Sequence, residues 1–185
     1  MEDTAINSAP AQETFTLPAL GVKAVSVQLL LLFAAAFLLP AAAHATGLPV
    51  RMLLPMHWPV IFVGLCYGWR SGAIVGLSAP ILSYLISGMP LPHILPSMTI
   101  ELAVYGFLAG FARENLKLNW FAATAISLIG GRIVFLVIVL ATRAVPEPFF
   151  EYLQVAMLPG IWAAIAQLVL LSLGAWWWVG RECKS

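Results

Sequence analysis

The stretch 55-PMHWPVIFVGLCYGWRSGAIVGLSAPILSYLISGMPLPHILPSMTIELAVYGFLAG-110 decides the fold. Arg70 and Glu101 are its only formal charges. Apolar runs at 56–69, 71–88 and 97–112 are separated by little more than an arginine and a proline-rich segment, so each reads as a helix in lipid rather than a half-buried element of a soluble domain. Gly64, Gly68, Gly72 and Gly76 recur every four residues, and Gly106 and Gly110 repeat the interval. Small residues at that spacing let helices approach closely where no hydrophobic effect drives them together. Packing within the chain and docking on another membrane subunit both fit the pattern.

The rest of the chain has the same character. Of 185 residues, 62% are apolar, nine are Lys or Arg and eight are Asp or Glu, with a mean hydropathy of +0.96. Soluble domains carry about a quarter charged residues, so an ordinary soluble domain is excluded. Further apolar runs at 24–43, 120–141 and 155–178 bring the total to six, and a helix needs roughly 20 residues to cross about 30 Å of hydrocarbon. The expected fold is an all-α integral membrane bundle of six transmembrane helices. Residues 1–22, polar and acidic, read as a disordered cytoplasmic tail, and 23–185 as a single membrane domain. Ala43-His44-Ala45 has the small-x-small form of a signal-peptidase site. The run before it is too long for a signal core and its flank too acidic, so it is read as the first retained helix. The second and fourth runs are short and are expected inside the bundle. Pro59 and Pro159 are expected near helix starts, and Pro90, Pro92 and Pro96 in a structured loop.

Lys23, Arg70, Arg113, Lys117, Arg181 and Lys184 fall at one set of helix ends, against Arg51 and Arg143 at the other. The positive-inside rule then puts both termini in the cytoplasm of a bacterial inner membrane, with the loops at 44–57, 88–97 and 142–154 outside. Trp69, Trp120 and Trp176–Trp178 form an inner aromatic belt opposite Trp58.

Several chemistries drop out. A net charge of +1 offers no field for nucleic acid, and Cys66 and Cys183 form no metal or disulfide pattern. No lysine follows a phosphate-binding glycine loop, so any ATP is hydrolysed by another subunit. Glu101 is the only acid within an apolar run, which leaves no acid pair or nucleophile with its base; the chain is not expected to be an enzyme or to hold a cofactor. Glu101 and Arg132 are the charges most clearly inside the membrane, where each costs several kcal/mol if it faces lipid unpaired. Both lie in the outer half, so an ion pair between helices four and five and a polar floor to an outward pocket are compatible readings. His44, Met56, His57, Trp58, Met89 and His93 enrich the outward loops. Their spacing specifies no metal site, and a mixed apolar and polar lining suits an organic ligand.

In order and spacing these motifs resemble the substrate-binding S component of energy-coupling factor (ECF) vitamin transporters. Pro55-Met56-His57-Trp58-Pro59-Val60 matches the PMHxPV start of helix two, Gly88-Met89-Pro90 most of GMPP, and Glu101 to Gly106 the ELxxYG of helix four. The likeness continues through Gly131-Arg132, Leu158-Pro159-Gly160 and Gln167, and covers about 24–178. It implies six helices that capture a water-soluble vitamin or precursor from outside, then associate with a membrane scaffold subunit and two ATPases. On the matching positions it puts His57, Met89, Glu101, Tyr105 and Arg132 around the pocket, with His93 beside them in the outer loop. Two positions depart from the family pattern: Leu91 stands at the second proline of GMPP, and the AxxxA docking pattern of helix one occurs only at Ala41 and Ala45.

The alternatives are a stand-alone secondary transporter using Glu101 as a proton site and a membrane assembly protein that binds no small molecule. Corrinoid (cobalamin-type), pantothenate, pyridoxine and pyrimidine-type ligands all remain open.

Overall fold

A computed structural model describes residues 16–47, 54–142 and 149–184. Among these residues every regular element is helical. Helix α1 (Val22–Ala45) is α-helical over Val22–Phe33 and Leu39–Ala45 and widens to a π-turn over Ala34–Leu38. It is followed by α2 (His57–Tyr67), α3 (Trp69–Ser87), α4 (Leu95–Glu114), α5 (Trp120–Thr142) and α6 (Phe149–Glu182). Four of them, over Val22–Ala45, Leu95–Glu114, Trp120–Ala141 and Gly160–Glu182, are long and apolar enough to cross a membrane. The chain is a multi-pass integral membrane protein by these helices, and large apolar side chains exposed on its surface, among them Phe33, Ile74, Ile129, Val137 and Trp162, require lipid as their solvent.

Three boundaries differ from those expected. The fourth run is not short: α4 has 20 residues, because Pro96 occupies its first turn, where a missing N–H costs nothing, instead of the loop. Helix α6 begins at Phe149, so the expected 142–154 loop is shortened and Pro159 lies well inside the helix rather than at its start. Helix α2 stops at Tyr67, and Trp69 already belongs to α3. Arg51, Arg143 and tail residues 1–15 lie outside the described residues. Residues 16–21, at the end of the expected tail, run along the bundle: Leu17 N–H donates to the Cys66 carbonyl at 2.7 Å, and the Gln28 amide to the Ala19 carbonyl at 2.9 Å.

The glycine ladder is spent within the chain. A Cβ on Gly64 or Gly72 would overlap the carbonyl of Gly106, one on Gly76 that of Leu102, and one on Gly110 the backbone of Gly68 and Trp69. Helices α2, α3 and α4 therefore touch backbone to backbone, and nine of the eleven residues of α2 are buried. Gly68 makes the corner between α2 and α3 by itself, with φ of 87° that an L side chain adopts at a cost. The Glu114 carboxylate fills the space beside it and accepts from Trp69 N–H at 3.3 Å, placing negative charge at the start of α3.

One end of the bundle gathers most of the basic side chains. Lys23 pairs with Glu182 at 2.6 Å, which joins the start of α1 to the end of α6. Arg113 lies over the Trp120 ring, 3.5 Å from its centroid, and donates to the Leu118 carbonyl. The Trp178 indole N–H donates to the Tyr67 hydroxyl at 3.3 Å.

Candidate functional site

The opposite end of α2 carries a buried carboxylate and imidazole with an arginine beside them. Glu101 lies about two turns into α4, on the side that faces both α2 and α5. Its Oε1 is 3.6 Å from His57 Nε2 in the first turn of α2 and 3.6 Å from Arg132 Nη1 on α5. The His57 and Glu101 side chains are 4% and 6% exposed, and Arg132 is 22% exposed. At 3.6 Å these are electrostatic contacts without hydrogen bonds. Both imidazole nitrogens of His57 and Oε1 of Glu101 are left without a hydrogen-bond partner among the described atoms. Buried polar atoms are nearly always satisfied, so three orphans in one place make this group the candidate site.

Local packing holds each member in position. One turn beyond Glu101, the Tyr105 ring meets His57 edge-on at a centroid distance of 4.8 Å and closes the space beneath it. Tyr105 fits because residue 131 is glycine: a Cβ there would enter the phenol ring. The next residue, Arg132, extends to α6, where Gly160 leaves room for its Nη2. Below this level Ser127 Oγ donates to the Tyr105 carbonyl at 2.7 Å, and the Thr124 and Ser172 hydroxyls meet at 3.0 Å. Side-chain hydrogen bonds thus join α4, α5 and α6, whereas α2, α3 and α4 join through glycine.

Of the residues expected at the site, the fold brings together His57, Glu101, Tyr105 and Arg132. Met89 is 45% exposed and His93 is exposed, both between α3 and α4, and neither enters the buried group. His44 is exposed at the end of α1, and among the described residues no three His, Cys, Asp or Glu side chains gather to hold a metal. Two structural roles go beyond the sequence reading, which had Gly131 and Gly160 only as motif positions: they are the spaces for the Tyr105 ring and the Arg132 guanidinium. A third residue, Gln167 on α6, is fully buried with no hydrogen-bond partner for either amide atom among the described residues. The sequence reading had it only as a position of the family likeness and as an amide within an apolar helix.

Chemically the arrangement offers a carboxyl group, an imidazole, a guanidinium and a phenol around one point, in a wall of apolar helices. That suits orienting a polar ligand.

No curated protein and no solved structure among those compared matches this chain. The model of the family described as the ECF transporter substrate-specific component matches residues 27–179, which include α2 to α5 in full, most of α1 and α6, and every member of the buried group. Proteins of this family bind a small-molecule substrate and associate with ECF scaffold and ATPase modules, and the family is a transporter component rather than an enzyme class. The chain belongs to the ECF transporter substrate-specific component family.

Proposed function

We propose that this protein is the capture subunit of an ECF-type importer in a bacterial inner membrane, taking a water-soluble vitamin or vitamin precursor from outside for uptake powered by separate ATPase subunits. The chain crosses the membrane six times with both termini inside: α2 and α3 cross as a pair, their lack of length and apolarity offset by burial against α1 and α4. The cytoplasmic end is the one bearing Lys23, Arg113, Trp120, Arg181 and Lys184, so the group around Glu101 opens outward.

The observation that carries this reading is the set of unpartnered atoms on His57 and Glu101, in a protein of a substrate-binding family. In the ligand-bound protein the substrate supplies the missing hydrogen bonds. Glu101 accepts from it, His57 donates or accepts according to tautomer, and Arg132, already counterbalanced by Glu101, orients a polar or partly negative group. Tyr105 walls off the interior so that the ligand stops there. Met89 and His93, exposed on the loop between α3 and α4, are the residues we assign to cover a bound molecule.

The test is thermal denaturation of the detergent-purified protein against a panel of corrinoids, pantothenate, pyridoxine and pyrimidine precursors. One compound is expected to raise the transition, since a ligand that binds only the folded state stabilises it by mass action. His57→Ala and Glu101→Gln are expected to lose that shift. A panel without any effect would overturn the reading, and accumulation in liposomes driven by a proton gradient alone would favour a solitary transporter.

A further inference from the structure

Gln167 is fully buried in a membrane helix, and among the described residues neither its amide nitrogen nor its amide oxygen has a hydrogen-bond partner. Such an amide costs free energy unless something binds it. Two packing registers give its level in the bundle. On the α5 side, Ser172 meets Thr124, and because the helices are antiparallel, the five residues from Ser172 back to Gln167 correspond to five residues forward from Thr124. That level lies between Ser127, which bonds Tyr105, and Gly131, which makes room for the Tyr105 ring. On the α2 side, a Cβ on Gly174 would meet Phe62 at 3.6 Å, and the two helices run parallel. Gln167 is seven residues before Gly174 and His57 five before Phe62, roughly 10 and 7 Å by helical rise, so the two side chains start within about one residue step or two of each other in height. Gln167 also follows Gly160 by seven residues, two turns along the buried face of α6 that passes through Ala163 and Leu171. Gly160 is where the Arg132 guanidinium rests.

The geometry points to Gln167 as a ligand-binding residue of the site formed by His57, Glu101 and Arg132, recognising an uncharged edge that carries an N–H donor beside an acceptor, as in a primary amide, a lactam or an aminopyrimidine. This rests on the capture reading above and narrows its substrate class. A primary amide offers a donor and an acceptor side by side, and its natural complement is the reverse pair. An ionised carboxylate, which only accepts, would satisfy the amide nitrogen and leave the amide oxygen buried and unpaired.

The experiment compares full-length wild type, Gln167→Leu and Gln167→Glu by thermal denaturation in detergent, each alone and with four probes. A hydroxymethyl aminopyrimidine and cobalamin present such an edge; pantothenate and pyridoxine do not. Without probe, Gln167→Leu is expected to melt at or a few degrees above wild type, because it removes an unsatisfied amide while keeping the volume. An edge-bearing probe is expected to stabilise wild type, with affinity falling roughly tenfold or more in Gln167→Leu and partly retained in Gln167→Glu, which keeps the acceptor. A Gln167→Leu protein that melts well below wild type without probe overturns the inference, since the amide then serves the fold. Equal stabilisation of wild type and Gln167→Leu overturns it with the capture reading intact, as does stabilisation by pantothenate or pyridoxine alone. If no probe stabilises wild type, the capture reading fails and this inference with it.

Discussion

The two flanks of α4 are built in opposite ways. On the side of α2 and α3, contact is dry and complete: Gly64, Gly72, Gly76, Gly106 and Gly110 bring backbones together with no space for another atom. On the side of α5, contact is made through Ser127, and α5 is joined in turn to α6 through Thr124 and Ser172; above them Glu101 on α4 and Gln167 on α6 have polar atoms without a partner among the described residues, as has His57 at the start of α2. The first flank has spent its packing energy on itself. The second retains unsatisfied hydrogen-bonding capacity, which in lipid is costly and so is kept where something else will use it. The proposed capture role would use both, a rigid half that fixes the positions of His57 and Glu101 and a polar half to which a substrate would supply hydrogen-bond partners.

The contrast can be broken from either side. The largest effect is expected at Gly106→Leu, which drives a branched side chain into the Gly72 backbone. Neither helix can yield without opening the α3–α4 contact, so a cost of about 3 kcal/mol or more should appear as loss of monodisperse protein on size-exclusion chromatography. Next comes Arg132→Met, which removes the cation beside a buried carboxyl. It should lower stability by about 2 kcal/mol or more, read as a lower melting temperature, and adding Glu101→Gln should restore much of the loss because the remaining amide carries no charge. Failure of that rescue would mean that Arg132 supports the fold through α6 rather than through Glu101. The smallest effect is expected for Ser127→Ala, which deletes one hydroxyl bond to the Tyr105 carbonyl. Such bonds within membrane bundles average about 0.6 kcal/mol, so the melting temperature should fall only slightly while the ligand-induced shift of wild type survives.

How far the site could be read in the sequence depended on how rare each residue type is in its surroundings. Glu101 and Arg132 stand out because an apolar chain has few charges, and the fold does bring them together with His57 and Tyr105. Gln167 and Ser127 were harder to assign, because an uncharged polar residue in an apolar helix signals function only when its face and partners are known. Met89 and His93 show the converse: loop position marked them, and the fold leaves both on the surface. Proline placement misled at Pro96, read into a loop though a first-turn proline costs little, and at Pro159, read at a helix start though a membrane helix tolerates an interior proline.

By itself the sequence determined the solvent, the helical class, the approximate limits of six helices and the scarcity that singles out two charges, because these follow from hydropathy and spacing along the chain. Only the tertiary structure decided that the glycines pack against one another instead of awaiting a partner, that His57 stands against Glu101, and that Gln167 is buried with no partner for its amide among the described residues. Those are relations between helices, and they depend on which face each helix turns to its neighbour; apolar periodicity cannot reveal that face in a chain whose outer surface is as apolar as its core.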